Sequence, residues 1–308
     1  MATFEFSEPP LLARAEFDRA DQVRKDPDSL AAGWSGAQVL TVDRNGRFPV
    51  REDGSIAWSG VSGFGSMPPS DAVFLGVTGT TGAGTHRWAV PVDEVTARSV
   101  DARSGAHLLP NDDAGLLATA MGLINWHRSA KYSPVDGSPT EPAQGGWVRR
   151  NASGRDEFPR TDPAVIMVVH DGADQVLLGR QSVWPDRWFS TLAGFVEPGE
   201  SLEQCVQREV AEEAGIRVSS PNYLGSQPWP FPRSLMLGFE AIADPAEPLV
   251  FHDGELADAR WFHRDEVRAA LDRSDDWGTE NPDAPLRLPG AISIARSLID
   301  GWARAPIA

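Results

Sequence analysis

Residues 194–216 read GFVEPGESLEQCVQREVAEEAGI, and they carry the strongest signal in the chain. A Pro-Gly loop leads into a helix that we expect to begin near Ser201. Glu209, Glu212 and Glu213 lie three or four residues apart, so their carboxylates share one helix face. Three like charges crowded together are unfavourable unless a cation lies among them. The pattern therefore predicts a site for a hard cation such as Mg²⁺ or Mn²⁺.

An acidic helix face is more often simply solvated, and that explanation must be weighed first. Here, however, nine fixed positions match G-x5-E-x7-R-E-U-x-E-E-x-G-U in register, where U is an aliphatic residue. The stretch closely resembles the signature of the Nudix hydrolase superfamily. This resemblance implies metal-dependent hydrolysis of a diphosphate linked to a nucleoside.

The resemblance also implies roles for single residues. Glu209 and Glu213 would bind the metal together with the backbone oxygen of Ala193. Glu255, in the segment Asp253–Phe262, would supply a further acid at the active centre and is a further candidate metal ligand. Either Glu212 or Glu255 would order or deprotonate the attacking water, and the sequence does not choose between them.

Four other positions of the signature are predicted to be structural. Arg208 can pair with Glu200 and hold the loop against the helix. Gly194 is expected at the loop entry, and Gly215 at the end of the helix, as a C-terminal cap. Cys205 is interpreted as a small packing residue.

A second motif, SQPWPFPRSLM at Ser226–Met236, narrows the substrate. Three prolines interleaved with two aromatic residues predict a stiff, mostly extended segment that could line a pocket for a base. It resembles the S-Q-P-W-P-F-P-x-S motif of the NADH pyrophosphatase subfamily. The resemblance implies substrate contacts by Arg103, Phe158, Phe195, Gln227, Pro228, Trp229, Pro230, Phe231, Pro232, Arg233, Ser234, Met236 and the backbone of Ala295, with Phe158 contributed from a dimer partner.

Hydrophobic patterns predict an α+β protein with two domains. Residues 1–129 form a smaller N-terminal α+β domain, closed by a helix that starts at an Asn111-Asp112-Asp113 cap. Residues 161–308 form the Nudix domain, a mixed sheet sandwiched by helices. Residues 130–160, rich in Pro, Gly and Ser, are expected to be a linker.

This linker resembles a zinc ribbon that has lost its cysteines. The frame around Tyr132 and Gly145-Gly146-Trp147 is present, but Ser133, Asp136 and the Arg150–Gly154 stretch replace the four thiolates. We therefore expect no structural zinc here. Tyr132 and Trp147 are the predicted packing anchors.

Two weaker patterns receive ordinary interpretations. The glycine-rich stretch Thr78–Gly84 lacks the Gly-Lys-Ser ending of a P-loop and is predicted to be a hairpin tip. His252 and His263, on either side of Glu255, are predicted to be surface or core residues.

Composition excludes several classes of protein. The chain of 308 residues carries a net charge of −16, which opposes general binding to a phosphate backbone. It has one cysteine, which rules out a disulfide framework and fits the cytoplasm. It shows no apolar run long enough for a membrane span and no signal peptide, so we expect no membrane association.

The resemblance thus implies an enzyme, an NADH pyrophosphatase (NAD⁺ diphosphatase), that cleaves NADH or NAD⁺ to NMN(H) and AMP with Mg²⁺ or Mn²⁺. Removal of NAD caps from RNA 5′ ends is a further activity that the resemblance implies, and a homodimer is expected. Two alternatives stay open: a Nudix pyrophosphatase for ADP-ribose or diadenosine polyphosphates, and a non-catalytic NAD(H)-binding sensor.

Overall fold

The computed structural model describes residues 3–79, 84–251, 254–273 and 283–306. The chain divides into two compact units. The C-terminal unit comprises Met1–Ala13, Asp162–Pro228 and Ser234–Ala308, and the N-terminal unit comprises Arg14–Thr161 and Trp229–Arg233. The α+β class is confirmed, but neither unit is continuous in sequence. The first residues of the chain group with the C-terminal unit, and the expected linker groups with the N-terminal one.

The N-terminal unit contains four helices and eight strands among its described residues. The helices are α1 (Asp21–Lys25), α2 (Pro27–Trp34), α3 (Ala102–Gly105) and α4 (Asn111–Ser129). The strands are β1 (Gln38–Val42), β2 (Arg47–Pro49), β3 (Val73–Thr78), β4 (Thr85–Pro91), β5 (Ser99–Asp101), β6 (Thr140–Ala143), β7 (Val148–Asn151) and β8 (Asp156–Glu157).

The C-terminal unit contains six strands and three helices among its described residues. They are β9 (Asp162–His170), β10 (Gln175–Gln181), β11 (Leu192–Phe195), α5 (Leu202–Ala214), β12 (Ser219–Trp229), β13 (Ser234–Ile242), β14 (Leu256–His263), α6 (Arg264–Leu271) and α7 (Ile294–Arg304).

The sheet of the C-terminal unit has the order β12-β13-β9-β10-β14, and β11 also pairs with β9. β9 is parallel to β13 and antiparallel to β10 and β11, so the sheet is mixed as predicted. Val165, Met167 and Val169 belong to the core that contains α5, whereas Ile166 and Val168 belong to the core of α6 and α7. Helices therefore cover both faces of the sheet, because apolar side chains of β9 alternate between them.

The first residues of the chain are anchored on this sheet. The backbone N–H and the hydroxyl of Thr3 donate to the buried carboxylate of Glu240 at 2.7 and 2.5 Å. Phe4 is buried in the core of α6 and α7 and packs against Gly301. Burial alone would raise the pKa of Glu240, but the His170 ring 3.5 Å away and the hydrogen bonds from Thr3 lower it below its usual value. The sequence patterns did not predict this anchor.

In the N-terminal unit, a three-stranded sheet has the order β1-β4-β3. The predicted apolar stripe of α4 is confirmed, since its members are all buried: Leu116, Leu117, Ala120, Leu123, Ile124 and Trp126. The predicted cap is wrong, because the N-cap position is Pro110 and no side chain caps the helix. Asp112 instead accepts from the backbone N–H of Glu16, and Asp113 accepts from the indole of Trp58.

The expected linker is folded rather than irregular. Strands β6, β7 and β8 form an antiparallel sheet, which we call the ribbon (Thr140–Glu157). The buried hydroxyl of Ser133 donates to Glu157 at 2.6 Å. The amide of Asn151 donates to the hydroxyl of Ser138 at 3.0 Å, and its oxygen accepts from the backbone N–H of Arg155. Polar side chains at the former cysteine positions therefore hydrogen-bond to one another or to neighbouring backbone.

Of the two predicted packing anchors of this region, Trp147 is confirmed and Tyr132 is wrong. The indole N–H of Trp147 donates to the carbonyl of Phe74 at 2.6 Å, and the guanidinium of Arg24 lies 4.3 Å from the Trp147 ring centroid. Tyr132, in contrast, is 65% exposed and does not anchor the region. Hydrogen bonds, and not packing on Tyr132, hold the ribbon.

Some predicted features lie at or beyond the edges of the described ranges. Strands β3 and β4, which flank the glycine-rich stretch, pair antiparallel up to Thr78 and Thr85, but residues 80–83 of the stretch lie outside the described residues. His252 and Asp253 lie outside them as well. His263 is exposed and caps α6.

No helix in the described ranges combines the length and the apolar character needed to cross a membrane.

We expect a zinc-selective chelator to leave the melting temperature unchanged, because hydrogen bonds replace the thiolates. Ser133→Ala should destabilise the protein by about 1–3 kcal/mol, since it leaves Glu157 without its buried donor. Ser153→Ala, at an exposed rim position of the same network, is the matched control and should change little. Stoichiometric zinc in protein purified without added metal would contradict this interpretation.

Candidate active site

The loop and helix of the 194–216 stretch have the predicted local structure. Ser201 caps α5 and forms a capping box with Gln204, which satisfies backbone N–H groups at the helix start. Gly215 ends the helix in the left-handed region, with φ 72°, a conformation that glycine adopts without strain. The carboxylates of α5 are therefore held on a helix with both ends fixed.

Arg208 connects the loop to the acidic face. Its guanidinium donates two hydrogen bonds to Glu200, at 2.6 and 3.0 Å, and one to the carbonyl of Phe195 at 2.9 Å. The third guanidinium nitrogen, Nη1, donates to both Glu209 and Glu212 at 2.8 Å. These bonds lower the pKa of Glu200 to about 2 and raise that of Arg208. The predicted pairing of Arg208 with Glu200 is confirmed.

Glu209 lies at the centre of the acidic face, with 12% of its side chain exposed. Burial raises the pKa of Glu209, Arg208 opposes this, and the charges of Glu212 and Glu255 raise it further. A Cβ atom at Gly194 would lie only 1.8 Å from the Glu209 carboxyl carbon. Glycine at position 194 therefore makes room for the Glu209 carboxylate against β11.

Glu213 and Ala193 lie together, as the resemblance implies for a shared metal site. Glu213 is 4% exposed and accepts a hydrogen bond from the backbone N–H of Ala193 at 3.3 Å. Ala193 is held in β11 by its pairing with Ile166 of β9. A buried carboxylate beside strand backbone offers hard oxygen ligands in a fixed place.

The other two acids differ in exposure from these. The side chain of Glu212 is 52% exposed and pairs with Arg208. Glu255 is exposed, yet it is close enough for its charge to raise the pKa of Glu209. The structure therefore brings Glu255 to the acidic face, although it lies more than forty residues further along the chain.

These residues fit a hard divalent cation by their chemistry. All are carboxylates or backbone carbonyls, and the half-buried Glu209 is crowded by like charges that a cation would neutralise. Within the described ranges, no three His, Cys, Asp or Glu side chains form a ready-made metal cage. Mg²⁺ does not require one, because it usually keeps several water ligands.

Cys205 is fully buried on α5 and belongs to the core beneath this face. Burial raises the pKa of its thiol to about 12. It is a packing residue, as predicted.

The structure corrects the predicted role of Gln227. Its side chain is completely buried, and its amide donates to the carbonyl of Ile292 while its oxygen accepts from the N–H of Ile294, both at 2.8 Å. Both the nitrogen and the oxygen of the amide thus bond to backbone at the start of α7. Gln227 has a structural role and not the predicted contact with substrate.

We expected the motif to be mostly extended, but only part of it is. The chain is a strand up to Trp229 and then turns over Pro230–Arg233. The rings of Trp229 and Phe231 meet edge to face with centroids 5.1 Å apart, and the guanidinium of Arg103 lies 5.7 Å from the Trp229 ring. Arg103 and Trp229, both predicted substrate residues, are therefore neighbours.

Asn125 supports this turn, and the sequence patterns did not identify it. The side chain of Asn125 donates to the carbonyls of Pro230 and Pro232 at 3.0 and 3.3 Å. Proline removes backbone donors from the turn, so an outside donor fixes its carbonyls. The feature of the sequence that could have indicated this role is a polar residue, Asn125, among the apolar residues of α4.

The remaining predicted substrate residues have varied surroundings. Phe195 and Phe158 are exposed, at 60% and 69%, so their rings are accessible. Ser234 and Met236 lie on β13, and Pro228 lies on β12. Ala295 is buried, and its N–H already donates to the hydroxyl of Ser293, which caps α7. That N–H is therefore not open to a substrate.

The mixed sheet, the loop and the acidic helix define a Nudix domain, and comparison with known proteins agrees. Residues 160–280 match the NUDIX domain family, and residues 29–126 match the NADH pyrophosphatase-like rudimentary NUDIX domain. The N-terminal unit is thus a Nudix relative, which its sequence patterns did not reveal.

The relatives narrow the assignment. "NAD-capped RNA hydrolase NudC" of Mycobacterium bovis is 49% identical over 97% of this chain and 96% of its own length. The human "NAD-capped RNA hydrolase NUDT12" is 38% identical over 64% of this chain and 43% of its own. A solved Nudix hydrolase from Nitrosomonas europaea is 19% identical over 52% of this chain and 97% of its own, with a TM-score of 0.39. The chain belongs to the NudC family of Nudix hydrolases.

We expect Gln227→Ala to destabilise the protein by about 1–3 kcal/mol, because it leaves buried backbone groups of Ile292 and Ile294 without partners. After correction for the folded fraction, any remaining change in kcat/KM should be the same for all substrates. Thermal melts and parallel assays on NADH and on a small pyrophosphate check this. A loss confined to NADH, with unchanged stability, would restore the substrate contact.

Proposed function

We propose that this chain hydrolyses the pyrophosphate bond of NADH and NAD⁺ and removes NAD caps from RNA 5′ ends. The observation that carries the proposal is the placement of Glu209. Its half-buried side chain lies against Gly194, accepts a hydrogen bond from Arg208 and is coupled to the charges of Glu212 and Glu255. A sensor that only binds NAD(H) has no need of such a crowded acidic face.

Glu209 and Glu213, with the backbone oxygen of Ala193, would hold Mg²⁺ or Mn²⁺. The cation would supply positive charge that neutralises the diphosphate. Glu212 or Glu255 would take a proton from a water molecule as its oxygen bonds to one phosphorus. The bridging P–O bond breaks, and NMN(H) and AMP leave. Without the cation, these glutamates would repel an anionic substrate.

Arg103, Trp229 and Phe231 are the residues that we assign to the dinucleotide, with Phe158 and Phe195 as exposed aromatic neighbours. Aromatic faces stack on bases, and a guanidinium binds phosphate. Pro228, Pro230, Pro232, Arg233, Ser234 and Met236 complete the assigned segment. Because this segment is assigned to the dinucleotide, we favour NADH and NAD⁺ over ADP-ribose as substrates. A homodimer and a cytoplasmic location, expected from the sequence, belong to the same proposal.

The test is a product analysis with NADH, NAD⁺, ADP-ribose, diadenosine polyphosphates and NAD-capped RNA, each with Mg²⁺ or Mn²⁺. We expect AMP and NMN(H) from the first two. Glu209→Gln and Glu213→Gln should each lower kcat more than about tenfold, a barrier change above about 1.4 kcal/mol, while the fold is retained. Preferred cleavage of ADP-ribose, or NADH binding without turnover, would support one of the two alternatives.

Gly194→Ala offers a second test that leaves every carboxylate in place. The added methyl would displace the Glu209 carboxylate, so we expect a loss of kcat of at least about tenfold with little change in KM. Gly60→Ala is the matched control, since nothing lies within 4 Å of a Cβ there. Full activity of Gly194→Ala would mean that the position of Glu209 is not critical.

A further inference from the structure

An open cavity of ≈ 1110 Å³ lies wholly within the N-terminal unit. It is bounded by the turn at Arg44, the C-terminal end of α4 and the outer part of the ribbon. Sites for small molecules commonly have volumes of roughly 300–1,000 Å³, so there is room here for more than a single ion. None of the residues assigned to pyrophosphate hydrolysis lines it.

Arg149, at the floor of this cavity, is a buried cation bonded only to neutral groups. It is 7% exposed. Its guanidinium donates to the hydroxyl and the carbonyl of Thr140 and to the ring of His127. Among the described residues, no carboxylate lies within ion-pair distance of it, although the charge of Glu141 acts on it from further away. A buried charge without an opposite partner is costly, so an anion in the cavity would be stabilised.

His127 does not supply the missing countercharge. One ring nitrogen accepts from Arg149, and the other lies 2.7 Å from the carbonyl of Gly146, to which it donates. Burial lowers the pKa of His127 and keeps the ring neutral. The positive charge on the floor therefore belongs to Arg149.

Counted with Arg149, the charged residues of the lining leave an excess of one positive charge. Four fixed cations and three carboxylates line the cavity among the described residues, and Arg44 pairs with Asp93 at 2.7 Å. The others leave cations in excess: Arg128, Lys131 and Arg149 against Asp71 and Glu141. In a chain of net charge −16, a concave surface with an excess of cations is a specific place for an anion.

An exposed aromatic ring completes the lining. Tyr132 adjoins Lys131 and is 65% exposed, although it was expected to be a packing residue. Aromatic rings beside cations are typical of proteins that bind single-stranded nucleic acid, because bases stack on the ring while cations bind phosphates. An isolated phosphate ion would use neither the ring nor the volume.

We propose that this cavity binds single-stranded RNA, with a phosphodiester near Arg128, Lys131 and Arg149 and a base stacked on Tyr132. The proposal rests on the proposed function, because it is the body of a capped RNA that would occupy the cavity. It gives the N-terminal unit a role that NADH does not require.

The chain has only two lysines, Lys25 and Lys131, and this makes a sharp experiment possible. Binding of a labelled short RNA with a 5′ monophosphate is measured by fluorescence anisotropy, without any hydrolysis step. Lys131→Ala combined with Arg128→Ala should weaken binding about tenfold or more, and each lost contact should reduce the salt slope by about 0.7. Tyr132→Ala should weaken it on the order of tenfold without changing the slope. Lys25→Ala, on an exposed helix, should have no effect.

Amine-reactive labelling with mass spectrometry gives a second readout. RNA should protect Lys131 but not Lys25. The kcat/KM for NADH should stay unchanged in Lys131→Ala and Tyr132→Ala, while that for NAD-capped RNA falls. Because binding is measured apart from turnover, failure of the proposed function would leave this result intact.

Two outcomes would overturn the inference. Equal RNA affinity in the wild type and the Arg128/Lys131 double variant would show that the cavity is not the RNA site. Protection of Lys131 by AMP or inorganic phosphate, with none by RNA at saturating concentration, would assign the cavity to a small phosphate compound instead. Lys131→Arg is the conservative control and should keep both affinity and slope.

Discussion

The acidic face of α5 depends on one guanidinium. Arg208 binds Glu200 through two bonds, the backbone of Phe195 through a third, and Glu209 and Glu212 through a shared nitrogen. It therefore fixes the loop against the helix and lowers the repulsion between carboxylates before any metal binds. A lysine ammonium could not replace it, because only the planar fork reaches these partners at once. The same arginine therefore determines both the fold of the loop and the charge balance of the site.

Net charge gives the second constraint on the molecule. A chain of −16 repels the anions on which its family acts, so binding requires local positive charge. The C-terminal unit concentrates carboxylates that attract a cation, and that cation would then attract a diphosphate. The N-terminal unit places Arg149 and Lys131 around a cavity in which positive charge is in excess. With both arrangements, anion binding would be confined to defined sites on a chain whose net charge is negative.

The parts of the site that the sequence predicted are those set by local spacing. Glu209, Glu212 and Glu213 share a face because helix periodicity places them there, and Gly215 caps because few other residues accept its conformation. Gln227 was misinterpreted because its partners, Ile292 and Ile294, lie more than sixty residues away. A motif shows which residue type is present, but not whether its amide faces solvent or the protein interior.

Longer separations were harder still to predict. Thr3 reaches Glu240 across 237 positions, and no periodic pattern connects two such segments. The ribbon lies in residues 130–160, whose richness in Pro, Gly and Ser predicted a linker, but these residues also build tight turns between short strands. Its core is polar, so the apolar patterns that predict strands elsewhere were absent.

Two adjacent arginines on β7 show why the cavity differs from ordinary surface. Arg150 points outward and pairs with Asp156 through two bonds, at 2.5 and 2.9 Å. Arg149, on the opposite face of the same strand, is buried and bonds only to Thr140 and His127. The exposed Arg150 bonds to a carboxylate, although water could solvate its charge. The buried Arg149 needs a countercharge more, yet it bonds to no carboxylate. Glu141 of the ribbon acts on Arg149 through its charge but makes no direct bond to it, so in our proposal the anion in the cavity would supply the bonded partner.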